Sequence, residues 1–134
     1  MLKNFMTKLL MVLGLLGTSA ITHAAEEHHH DKGQRGGVVM SFGDSYHIEA
    51  VRSADKVTFY VMGGDGKSPA TITKHSGGSI VLVIPGTGEV KTEIPAGAAL
   101  SEVSAPAAAK GTITAMLKLI VEGKSLSAKF SLKN

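Results

Sequence analysis

The chain has 134 residues, with 14 basic and 11 acidic side chains and no cysteine or tryptophan. That length holds a single domain once an export segment is set aside, and the lack of cysteine excludes both a disulfide framework and a thiol nucleophile. The formal net charge of +3 includes Lys3 and Lys8 near the amino terminus, and no basic block lies elsewhere, so no nucleic-acid partner is expected.

Those two lysines precede a short apolar run, Leu9 to Gly17, and then the small-residue stretch "TSAITHAA". This is the three-part layout of a cleavable secretory signal, and its apolar run is too short to span a bilayer. Residues 1–24 are therefore expected to be removed. Cleavage after Ala24 is favoured, because it leaves Thr22 and Ala24 at the small-residue positions; cleavage after Ala25 places His23 at the earlier one. Removing Lys3 and Lys8 from the 14 basic residues leaves 12 against 11 acidic ones, a mature charge near +1. The expected product is exported, periplasmic, and not inserted in a membrane.

Residues 25–37, "AEEHHHDKGQRGG", follow as a polar, His-rich arm. Residues 26–35 contain no apolar anchor, so the arm is expected to be disordered without metal. From residue 38 the chain alternates with period two. Val38, Met40 and Phe42 share a face, and Tyr46, Ile48 and Ala50 oppose His47, Glu49 and Val51. "KVTFYVM" is rich in β-branched and aromatic residues and runs into the turn "GGDGKSP". "ATITKH" reads as a short strand, with His75 at an exposed turn. Ile80, Leu82 and Ile84 alternate with Val81 and Val83 in a strand expected to be buried on both sides. "GTGEVKTEIPAG" reads as a turn and an exposed strand, with Lys91 and Glu93 facing solvent.

Residues 95–111, interrupted by Pro106, predict at most a short helical turn. The clearest signal is C-terminal. Ile113, Ala115, Leu117, Leu119 and Val121 form one apolar face, and Leu126, Ala128, Phe130 and Leu132 form another after a turn at Gly123 and Lys124. Seven or eight short strands with regular turns predict an all-β domain over residues 38–134, an antiparallel sandwich or barrel.

No catalytic constellation emerges. Ser45 and His47 lack the strand–turn–helix setting of a nucleophile elbow, and "GGDGK" lacks the spacing and following helix of a phosphate loop. An enzyme is not expected. Metal binding is the chemistry with several supporting residues. Imidazoles of His28, His29 and His30 suit copper, nickel and zinc, and Glu26, Glu27 and Asp31 add oxygen donors. The competing reading of the arm is a solvated tether. His47 and Glu49, two apart on one strand, form a further candidate pair, against the simpler reading of a wet sheet face. Met40, Met62, Met116 and His75 are other possible donors, although methionine more often fills a core.

"RGGVVMSFGDSYHIEAVRSADKVTFYVMGGDGKSPA", Arg35 to Ala70, resembles a pattern in small exported bacterial proteins linked to heavy-metal efflux. It is also similar to the N-terminal region of periplasmic adaptor subunits of such pumps. The matching residues are Gly36 and Gly37, Gly43 and Asp44, His47 with Glu49, and Asp65, Gly66 and Lys67, with Pro69 one residue late. Where the pattern has histidine before the paired glycines, this chain has Arg35. The resemblance implies a periplasmic metal-handling role, with a metal ion and an efflux-pump component as partners. The rival expectation is a non-catalytic interaction module that docks an envelope partner.

Overall fold

The computed structural model describes residues 32–97 and 99–134. Eight strands follow in chain order: β1 (Val38–Phe42), β2 (Tyr46–Arg52), β3 (Lys56–Met62), β4 (Gly78–Ile84), β5 (Gly88–Ile94), β6 (Glu102–Pro106), β7 (Ile113–Val121) and β8 (Lys124–Leu132). They form two four-stranded antiparallel sheets, ordered β1-β2-β3-β6 and β5-β4-β7-β8. The architecture is an all-β sandwich that does not close into a barrel: β1 lies near β8 without pairing with it. Among the described residues there is no helix, and so none long and apolar enough to cross a membrane.

Period-two alternation explains the core directly. Phe42, Ile48, Ala50, Val57, Phe59 and Val61 from the first sheet meet Ile80, Leu82, Leu117, Leu119, Phe130 and Leu132 from the second. The rings of Phe59 and Phe130 pack tilted across the sandwich, 5.6 Å apart. Each large side chain removed from water contributes about 1.5–3 kcal/mol, so this layer is the main source of stability in a chain without disulfides. Arg52, at the end of β2, donates to the carbonyls of Ala109, Gly111 and Leu132 and ties the end of β8 to the segment before β7.

Several expectations are corrected. Residues 102–106 form strand β6, which pairs with the edge of β3. Alternation there is masked by alanine and serine, and Pro106 is tolerated because it ends an edge strand. "ATITKH" makes only isolated bridges, Ile72 to Leu100 and His75 to Gly97. Its one buried apolar side chain, Ile72, pins a connection rather than a ladder. His75 is buried at 8% exposure, not on an exposed turn, because Gly77 folds its amide back onto the ring. Strand β4 is covered on one face only: Val81 is half-buried and Val83 is 47% exposed. The final hairpin turns one residue earlier than expected. Val121 pairs with Lys124, so Glu122 and Gly123, with φ of 52° and 76°, form the two-residue loop. Positive φ at both positions matches the twist of the flanking strands.

At Gly78 the β7 backbone leaves no room for a side chain on β4. A Cβ there would lie 1.9 Å from the Lys118 carbonyl oxygen, which is backbone and cannot swing away. Gly78→Ala is therefore expected to destabilise the domain by about 1–3 kcal/mol, the usual cost of overpacking. Urea denaturation checks this, and an unchanged midpoint would show that the β4–β7 ladder shifts freely.

Candidate functional site

The outward face of the first sheet is not the wet surface that alternation implies. The register aligns Val39, Glu49 and Tyr60 in one row and Ser41, His47 and Met62 in the next. Val39 is 2% exposed, Met62 1%, and Glu49 fully buried. Burial of that carboxylate is the decisive anomaly, since glutamate is almost never fully enclosed unless paired.

What encloses Glu49 is the segment before β1. Residues 33–37 fold into a turn closed by Gly36 N–H to Gly33 carbonyl at 2.9 Å and Gly33 N–H to Gly37 carbonyl at 3.0 Å. Its amides point down at Glu49: the backbone N–H groups of Arg35 and Gly37 each donate to Oε2 at 2.9 Å. The Arg35 guanidinium completes the pairing at 3.3 Å from Oε1 and lies 4.0 Å from the centre of the Tyr60 ring. One arginine thus spans two neighbouring side chains of the row, binding one by charge and the other through its π face.

Glycine makes this possible at two positions. A Cβ on Gly33 would sit 2.2 Å from the Glu49 carboxyl carbon, and one on Gly37 would sit 2.3 Å from the Ala50 carbonyl oxygen. The paired glycines stand out in the sequence, whereas Gly33 carries no such mark. The expectation that residues 26–35 lack fixed structure is corrected for Gly33, Gln34 and Arg35. Backbone amides supply an anchor that a search for apolar side chains misses. His28, His29, His30, Glu26, Glu27 and Asp31 lie outside the described residues.

His47 is half-buried on the same face. Its Nδ1 lies 3.1 Å from the Gly63 carbonyl, and its ring packs under Gly66. The register sets it opposite Met62, an imidazole–thioether pair on one sheet face. Met40, by contrast, packs toward the core, and Met116 lies on the other sheet. The loop above His47 is held by Asp65, which accepts from the Ser68 hydroxyl at 2.6 Å and from the amides of Ser68 and Lys67 at 2.8 Å. The Ser68 hydroxyl, with those amides, lowers the Asp65 carboxyl to about 2.

Between this loop and the docked turn lies a cleft of about 390 Å³, floored by Val39 and edged by Lys32, Gln34 and Lys67. The structure keeps His47 and Glu49 on one face but gives Glu49 a structural role, because both its oxygens hold the docked turn. Among the described residues no group of three or more His, Asp or Glu side chains is arranged to hold a metal ion. No protein-family model, curated protein or solved structure matches this chain.

Proposed function

We propose that this is a periplasmic, non-catalytic metal-binding accessory protein that handles copper, nickel or zinc through its His-rich arm. His28, His29 and His30 supply the imidazoles, with Glu26 and Glu27 as oxygen donors. The observation that carries this reading is the anchoring of the arm's root by Glu49. A tract fixed at its base loses less freedom on chelation than a free tail. Lys32, where the described residues begin, edges the same cleft as Lys67, on the face that carries His47 and Met62.

The functional unit in this reading is arm and sheet face together, with the sandwich as a rigid base. Glu49 serves the base and is left out of the ligand set. The resemblance to exported proteins of heavy-metal efflux favours a pump component as the recipient of the metal.

Calorimetric titration of the mature protein with Cu(II), beside the triple variant His28→Ala, His29→Ala, His30→Ala, tests the proposal. Wild type is expected to bind modestly, and binding should weaken as the imidazoles protonate below about pH 6. The triple variant is expected to lose most of the affinity. Equal binding by both proteins, or none tighter than roughly millimolar in wild type, would reduce the arm to a tether.

A further inference from the structure

A second, larger opening lies at one end of the sandwich. It is a cleft of about 720 Å³, between the start of β2, the connection 72–76 and the β7–β8 turn. Tyr46 and Val121 border it half-buried, which gives it apolar walls. Lys74, Ser76 and Glu122 stand exposed around it.

The informative residue is His75, more than nine-tenths buried and bordering this cleft. Its Nδ1 accepts the Gly77 amide hydrogen at 3.0 Å. A neutral imidazole that accepts at Nδ1 carries its proton at Nε2, so Nε2 is a donor and not a metal ligand. Among the described residues Nε2 has no hydrogen-bond partner, and it is not sealed from solvent. A buried ring held by its neighbour, bordering an opening and keeping an N–H that solvent can reach, is a preformed donor for an acceptor-bearing ligand.

We propose that this cleft binds a small organic carboxylate. The carboxylate would accept from His75 Nε2–H and pair with the Lys74 ammonium, while its carbon body lies against Tyr46 and Val121. The volume is in the range of small-molecule sites and exceeds what a bare inorganic ion needs. Glu122 at the rim opposes an anion, which makes its removal informative.

Benzoate serves as the probe, with inorganic phosphate and benzylamine as comparisons, read on the ¹⁵N-labelled histidine rings of the mature protein. Benzoate is expected to shift the His75 Nε2 resonance saturably at concentrations up to roughly 50 mM, well into the weak-binding range. Lys74→Ala should weaken binding about threefold, the effect of one exposed ion pair. Glu122→Gln should tighten it. Both side chains are exposed, so neither variant threatens the fold. The proposal is overturned if benzoate produces no saturable shift, if phosphate alone binds, or if benzylamine binds equally well. It is also overturned if Lys74→Ala leaves the affinity unchanged, or if the ring spectrum places the His75 proton on Nδ1.

Discussion

Leu117→Asp is expected to abolish cooperative unfolding of the domain. Leu117 has no exposed surface and pairs with Ile80 and Ala128 on the inner face of the second sheet. Losing a buried leucine side chain alone costs about 2–5 kcal/mol. Adding a carboxylate with no partner costs several more, unless the group takes up a proton. Domains of this size hold only about 5–15 kcal/mol in total, so the sum approaches or exceeds the whole stability. Lys118→Asp, one residue along and exposed on the opposite face, is the control and should change stability by no more than about 0.5 kcal/mol. Calorimetric melting of both variants decides the matter. An unchanged melting temperature for Leu117→Asp would mean that the inner face is misassigned.

Glu49→Ala is expected to be the most damaging change on the outer face. It removes the acceptor for two backbone amides and the partner of Arg35, and leaves a void between the docked turn and the sheet. Breaking one side of a buried pair costs about 3–5 kcal/mol. The lower end applies here, because the Arg35 side chain is 40% exposed and can re-solvate. For a domain of about 100 residues, ~3 kcal/mol corresponds to a fall of roughly 12–24 °C in Tm. Gly33→Ala attacks the same contact from above, since its Cβ would overlap the Glu49 carboxyl, and should lower Tm in the same direction. If Glu49→Ala melts like wild type, the carboxylate does not hold the turn.

The inner layer is legible in the sequence because alternation reports directly on which side chains meet the core. Ile48 and Ala50, Ile80 and Leu82, Leu117 and Leu119 all stand where period two puts them. Alternation is silent on what covers the other face. His47, Glu49 and Val51 do point outward, yet outward does not mean wet here, because residues 33–37 fold back over β2 through backbone amides. No side-chain pattern encodes that return. The Arg35-Gly36-Gly37 step is visible as part of a resemblance, but its partner, 12 residues from Gly37, is not. Strand β6 escapes a sequence reading for the opposite reason: Val103 and Ala105 are too weak a pattern to outweigh an alanine-rich stretch, and pairing with β3 decides their conformation.

The most direct test of the rooted arm is amide hydrogen exchange at Arg35 and Gly37 in metal-free mature protein. Both amides are bonded to an enclosed carboxylate, so both should exchange far more slowly than an open chain allows, and Glu49→Ala should remove that protection while the amides of β7 stay protected. Exchange at open-chain rates in the wild-type protein would contradict the docked turn, and with it the anchoring on which the metal-binding reading of the arm depends.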